Sequence, residues 1–283
     1  MEDRRIMNKK IKGILAILFT TLSIFVLAGC GKSASASDKM TTVKIGIMGS
    51  DNRIWNTVDE KLQKQNIKIK LVEFSDYSQP NTALDQGQID LNSFQTVYFM
   101  DNWNKTHHTN IVGIGDTAIA PMALYSKKIT KLSELKEGDE IALPNDATNE
   151  GRALALLQSA GLIKLNKDVL PTKKSIIENK LNLKISELDA AQTARSLGDV
   201  TASVVNSGVA SDAKLNPKKA VYVEKVSKAS KPYVNVISAN KKDKDNPVYK
   251  KVVKAYQSEE VAKLYHKYYG DSEVPAWNLK ILK

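Results

Sequence analysis

Cysteine occurs once in this 283-residue chain, histidine three times, and arginine supplies only five of the 42 basic residues. A single cysteine, Cys30, excludes an internal disulfide, so the folded body draws its stability from its core. Zinc sites need Cys and His at set spacings, and neither Cys30 nor the tandem pair His107 and His108 supplies one. His107 and His108 read as part of a solvated turn between Asn104 and Asn110, and His266 as part of a lysine-rich terminal helix. None has an evident partner for acid–base chemistry. There is no Gly-x-Ser-x-Gly elbow, no phosphate loop and no dinucleotide fingerprint, so the sequence names no cofactor, no metal and no catalytic residue. The net charge of +11 is lysine scattered through every segment. Nucleic-acid binding asks for clustered Arg and Lys with interleaved aromatics, a pattern this chain lacks.

What is present begins at the N-terminus. Lys9, Lys10 and Lys12 precede an apolar stretch from Ile14 to Leu27, too short and too N-terminal for a durable membrane span, and Leu27-Ala28-Gly29-Cys30 closes it. The layout resembles a bacterial lipoprotein signal, with residues 1–29 removed and Cys30 diacylated, two chains giving a stable anchor where one is marginal. The alternative is a core cysteine behind a hydrophobic helix. From Gly31 to Thr42 the residues are small and polar, so 30–42 reads as anchor and flexible tether.

The remainder alternates strand and helix. Val43, Ile45 and Ile47 mark a strand, and Ile54, Trp55, Val58 and Leu62 one face of a helix. Ile67, Ile69 and Leu71 mark a second strand, followed by a loop at Phe74 to Tyr77. A helix near Asn81 to Gln86, a short strand at Ile89 to Leu91 and a helix from Thr96 to Asn104 continue the rhythm. Ile111 to Tyr125, broken by Gly115 and Pro121, suits a crossing between two lobes. A second series has a helix at Leu132 to Leu135, strands at Glu140 to Leu143, Asn182 to Ile185 and Thr201 to Val205, and helices ending near Gly161, over Ala190 to Leu197 and from Val209. Tyr233 to Ser238 forms a returning strand, and helices at Pro247 to Tyr256 and Glu259 to Tyr268 finish the chain. The fold class is α/β in two lobes with a ligand cleft between them, lobe 1 from 43–122 and 236–283, lobe 2 from 123–235.

Arginine scarcity makes Arg152 informative. It stands at a helix start behind Asn145, Asp146 and Asn149, where backbone N–H groups favour an anion and a guanidinium offers a planar fork for a carboxylate. An ordinary surface arginine in a capped helix is the competing reading. Aromatics are 6% of the chain, yet Phe74, Tyr77, Phe94, Tyr98, Phe99 and Trp103 crowd one short stretch. Phe99 and Trp103 share a helix face, whereas Tyr77 and Phe94 read as loop residues after strands, facing a cleft.

Phe74-Ser75-Asp76-Tyr77, Gln79 to Leu84, Ile89 to Gln95, Pro121 to Lys128, Pro144-Asn145-Asp146, Asn149 to Leu154, Glu187 to Gln192 and Val252 to Ser258 together resemble, in order, the NlpA lipoproteins, which include methionine-binding lipoproteins of ABC importers. The resemblance runs to Trp277 and implies a type II periplasmic-binding-protein-like fold. It also implies a monomeric, membrane-anchored receptor outside the cytoplasm that hands an amino acid to an ABC permease and its ATPase. By matching motifs, Tyr77 and Phe94 flank the ligand side chain, Arg152 clamps its carboxylate with Asn149 nearby, and Asn206 and Asn235 bond its backbone groups. The chain carries Thr96 and Phe99 where methionine binders of the family usually have a histidine and a tyrosine, so the side-chain end of the pocket is altered. Methionine, a related amino acid or a short peptide are the ligands implied. A surface adhesion lipoprotein and a hydrolase on the same scaffold are the alternatives.

Overall fold

The structure, a computed structural model, describes residues 40–270 and 272–280; the signal segment and Cys30 lie outside the described residues. In chain order the elements are β1 (Thr41–Met48), α1 (Arg53–Gln63), β2 (Ile67–Phe74), α2 (Gln79–Asp85), β3 (Leu91–Thr96), α3 (Val97–His107), β4 (Ile111–Ile119) and β5 (Ala123–Tyr125). Next come β6 (Glu140–Pro144), α4 (Ala147–Ser159), β7 (Lys164–Leu165), β8 (Ile176–Glu178), β9 (Lys184–Leu188), α5 (Ala190–Thr193), β10 (Ala202–Val205), α6 (Ser207–Asp212) and β11 (Tyr222–Val223). The chain ends through β12 (Val234–Asn240), α7 (Pro247–Tyr256), α8 (Glu259–Tyr269) and β13 (Val274–Pro275).

Two mixed sheets organise this body. The first has strand order β13-β4-β12-β3-β1-β2, and the second β11-β5-β10-β6-β9. Parallel pairs (β1 with β2 and β3, β6 with β9 and β10) follow from the intervening helices, whereas β12 runs antiparallel to both β3 and β4. Each sheet has its own core. Val43, Ile45 and Ile47 of β1 meet Ile54, Trp55, Val58 and Leu62 of α1, and Ile141 and Leu143 of β6 meet Leu154 and Leu157 of α4. A shared core would lock the sheets together; here each sheet packs on a core of its own.

The chain passes between the sheets twice, through Ala120 to Met122 after β4 and again before β12. Pro121 sits in the first passage, where a ladder N–H is not required. The alternating strand patterns and the four-residue helix stripe of α1 are as the sequence reads. Thr41 and Thr42, read as tether, instead pair with Ile67 and Lys68.

Several local readings differ, among them the helix read over Ala190 to Leu197, which is Ala190–Thr193 followed by a 3₁₀ turn at Arg195–Gly198. The third strand begins at Leu91 and continues to Thr96, so Phe94 lies in a strand rather than a loop. Its polar sequence carries little β-propensity; pairing with β1 and β12 imposes the conformation. The segment at Leu132 is one turn of 3₁₀ helix, Leu132–Glu134. Helix α3 runs on to His107, because the Asn104 amide bonds Ile111 in both directions (Nδ2 to O 2.7 Å, N to Oδ1 2.9 Å) and ties the last turn to β4. His107 is stacked on Trp103 with ring centroids 3.6 Å apart, and His108 takes the left-handed cap at φ 55°.

Candidate functional site

Between the lobes lies a cavity of about 190 Å³. Tyr77, Phe94, Thr96, Phe99, Asn149, Arg152, Asn206 and Asn235 all line it, so the structure brings together every site residue read from the sequence except Cys30, which is outside the described residues.

One wall is aromatic and belongs to the first sheet. A β-bulge puts Phe94 there: Val236 pairs with Gln95 and Ile237 with Ser93, so Phe94 is the extra residue, and a bulge re-aims its side chain. Tyr77, on the loop after β2, and Phe99, in the first turn of α3, complete a three-ring cluster with centroids 5.8–6.0 Å apart, two of the pairs edge-on. Thr96 caps α3 by accepting from the Phe99 N–H at 3.1 Å, which fixes where the Phe99 ring starts. Burial, with the charge of Asp146, raises the Tyr77 phenol above its ordinary value, so the group is neutral at physiological pH. Beneath the strand, Asn81, Asn92, Gln95 and Ser238 form a fully buried amide network, with reciprocal Asn81–Gln95 bonds of 2.7 and 2.8 Å. That network holds the bulge from below, and no single residue of it marked the role in sequence.

The other wall is polar. Asp146 caps α4, accepting from the Asn149 N–H at 3.1 Å. Its carboxylate also accepts from Asn149 Nδ2 (3.0 and 2.9 Å), and Asn149 Oδ1 accepts from Asn206 Nδ2 (2.8 Å). Asn206 Oδ1 is buried with no donor among the described residues. Asn235, at the start of β12, gives its Nδ2 to the Ala118 carbonyl at 3.2 Å.

Arg152 is 4% exposed, which removes the surface reading. Its Nε and Nη2 clamp Glu224 (3.0 and 2.6 Å), Nη2 also donates to the Ala120 carbonyl (3.0 Å), and the guanidinium lies 4.4 Å over the Tyr233 ring. The planar fork therefore already holds an acid of this chain, and only Nη1 lacks an acceptor among the described residues. Glu224 was not legible beforehand: a buried arginine demands a carboxylate, but nothing in the sequence says which one. Ala120 sits in the first passage between the sheets, Glu224 and Tyr233 in the second, so the guanidinium is fastened to both.

At the far end of the cavity Glu273 faces Ser207, whose hydroxyl donates to it at 3.1 Å. Burial pushes the Glu273 carboxyl up to about 7, and the nearby Asp51 and Asp212 charges add to this. Asp51 itself is held below its ordinary value by Arg53, with Tyr269 donating at 2.8 Å. The Asp212 carboxylate of α6 sits against the turn at Gly49. Gly49 permits that approach, since it has φ 66° and a Cβ there would overlap the Asp212 carboxylate. Among the described residues no group of His, Cys, Asp and Glu suits a metal, and no helix is long and apolar enough to cross a membrane.

Two α/β lobes, linked by two passages and closing on a small chamber with one aromatic and one hydrogen-bonding wall, define a two-lobed solute-binding protein of the periplasmic-binding-protein type. Residues 43–277 match the NlpA lipoprotein family, and the chain belongs to it. It is 41% identical over 278 residues to the D-methionine-binding lipoprotein MetQ of Yersinia pestis, covering 96% of this chain and 100% of that one. Among solved structures it is similar to the substrate-binding protein of a methionine transporter from Streptococcus pneumoniae (TM-score 0.80, 43% identity, 83% of this chain and 96% of that). It is likewise similar to a nutrient-binding protein from Burkholderia cenocepacia bound to methionine (TM-score 0.79, 43% identity, 83% of this chain and 99% of that).

Proposed function

We propose that this chain is the receptor of an ABC importer, anchored through diacylated Cys30 on the outer face of the cell membrane, that captures one free amino acid, methionine or a close analogue. It acts as a monomer, delivers the ligand to the permease and its ATPase, and carries out no chemical step. The observation that carries this reading is the pairing of an aromatic wall with a prewired polar wall around a cavity of about 190 Å³. Sites for drug-sized ligands usually enclose about 300–1,000 Å³, so the scale fits a single amino acid better than a peptide. Burying a zwitterion requires partners for both charges. In the bound form Arg152 Nη1 takes the carboxylate, Asn206 Oδ1 and Asn235 take the α-ammonium group, and Tyr77, Phe94 and Phe99 enclose the side chain. A thioether asks only for apolar and aromatic contact, which Phe99 supplies without the hydroxyl of a tyrosine. The lobes 43–122 with 236–283 and 123–235 close on the ligand, which shifts the open–closed equilibrium by its differential affinity.

The test is a thermal-shift screen of the protein, refolded to strip carried-over ligand, against L- and D-amino acids, methionine derivatives and short peptides. A rise with methionine is expected. A rise confined to another amino acid or to peptides reassigns the pocket, and no rise with any of them overturns the receptor reading.

A further inference from the structure

The amides of Asn149 and Asn206 each present either an oxygen or an NH₂ group in a given direction, and which one decides what the cavity can recognise. Here the choice propagates from one residue. Asp146 contributes only oxygen atoms, already accepting from Thr148 Oγ1 (3.0 Å) and the Asn149 backbone N–H (3.1 Å). Asn149 must therefore turn its Nδ2 toward Asp146, which it does at 3.0 and 2.9 Å. Its Oδ1 then faces Asn206 and takes Nδ2 of that residue at 2.8 Å. The atom left over is Asn206 Oδ1, an acceptor without a donor on a residue that lines the cavity.

We infer that Asp146 is a positioning residue that sets the polarity of this relay, so that the receptor selects ligands bearing a donor-rich α-ammonium group over otherwise identical acids with an acceptor-only keto group there. The inference rests on the amino-acid reading of the pocket. Asp146→Asn is the informative change, because asparagine caps a helix about as well as aspartate. With its oxygen kept at the cap, the new NH₂ group faces Asn149 and favours the reversed arrangement of both amides, leaving Asn206 Nδ2 toward the ligand. A donor there repels an ammonium group and accommodates a hydroxyl or keto oxygen.

The experiment has two arms. Calorimetric titration of the full-length protein with L-methionine and its 2-keto analogue gives the ratio of their dissociation constants. In Asp146→Asn that ratio collapses by about tenfold to a hundredfold, the size of one charge-assisted hydrogen bond exchanged for a repulsive contact. Asp146→Ser, which keeps a capping oxygen but not the second acceptor, shows a smaller collapse and serves if the asparagine variant does not fold. Equal weakening of both ligands with an unchanged ratio overturns the inference and marks Asp146 as a helix cap only. In the second arm, neutron diffraction of the ligand-free protein locates the amide deuterons. Deuterons on Asn206 Nδ2 directed at Asn149 Oδ1 support the relay, and the reverse orientation overturns it whatever amino acid the pocket proves to hold.

Discussion

The two walls of the cavity are held in place by different physics. On the polar wall each named side chain is fixed by directional bonds: Arg152 by Glu224, Ala120 and Tyr233, Asn206 by Asn149, and Asn149 by Asp146. On the aromatic wall Tyr77, Phe94 and Phe99 touch one another at 5.8–6.0 Å and are aimed by backbone devices, a bulge and a helix cap. Bonded groups lose affinity steeply when one member is removed, because the others are left buried and unpaired. Packed rings lose it in proportion to the area a ligand covers. On the proposed reading, the polar wall fixes what every ligand must share, and the aromatic wall grades ligands by side chain.

The largest break in this contrast comes from Arg152→Ala. On the proposed reading it removes the Nη1 donor from every ligand; it also strands the partly buried Glu224, and losing one partner of a fully buried pair typically destabilises by about 3–5 kcal/mol, an upper bound here. Glu224→Gln in the same chain relieves the stranded charge. Thermal melts of the double variant are expected to recover much of the lost stability, while calorimetry finds ligand affinity still reduced more than about a hundredfold. Recovery of both together would show that Arg152 serves only the passage between the lobes.

Phe94→Ala sharpens the comparison from the other side. Affinity is expected to fall about tenfold to a hundredfold for methionine and norleucine, and only a few-fold for alanine, whose side chain does not reach the rings. A uniform loss across side chains would mean that the bulge, rather than the ring, had been disturbed.

The same contrast explains what could be read in advance. Periodicity exposes strands and helices that bury a stripe, hence β1, α1 and β2, and rarity singles out Arg152. The third strand, Leu-Asn-Ser-Phe-Gln-Thr, hides itself because its buried face is satisfied by the Asn81 amide of α2 and the Ser238 hydroxyl of β12, partners distant in sequence. Glu224 stayed hidden for the same reason: it acts through a long-range bond, and one acid among 31 carries no local mark of its partner. Asp146 was legible as a turn and cap residue through its local pattern, but its reach through Asn149 to Asn206 was not. Motif resemblance supplied Asn206 and Asn235, but not the orientation of their amides.

A pH series separates the cavity's far end from both walls. The Glu273 carboxyl, pushed up to about 7 by burial, keeps a proton in the folded protein that the unfolded chain, at an ordinary value of 4.5, gives up. Its contribution is therefore fully present below about pH 4.5 and is lost as pH rises through 7. Melting temperature is expected to fall by several degrees across that window from this group, and Glu273→Gln to flatten the slope. An unchanged slope in the variant would place the titration on another carboxyl that burial raises, such as Asp212.

The smallest effect tests whether closure, rather than either wall, tunes affinity. Tyr98 of α3 donates its hydroxyl to the Val169 carbonyl at 3.0 Å, a bond from the first lobe to the second, and its ring meets Tyr233 edge-on at 6.0 Å. Val169 is exposed, so water competes for that carbonyl in the open form and the net worth of the bond is modest, about 0.5–1.5 kcal/mol. Tyr98→Phe keeps the ring contact and removes only this bond. Because no ligand group is touched, the expected result is a loss of a few-fold that is the same for methionine, norleucine and alanine, and that appears in the dissociation rate. A loss graded by ligand side chain would instead assign Tyr98 to the aromatic wall, extending that wall across the cleft to Tyr233 and the Arg152 guanidinium beneath it.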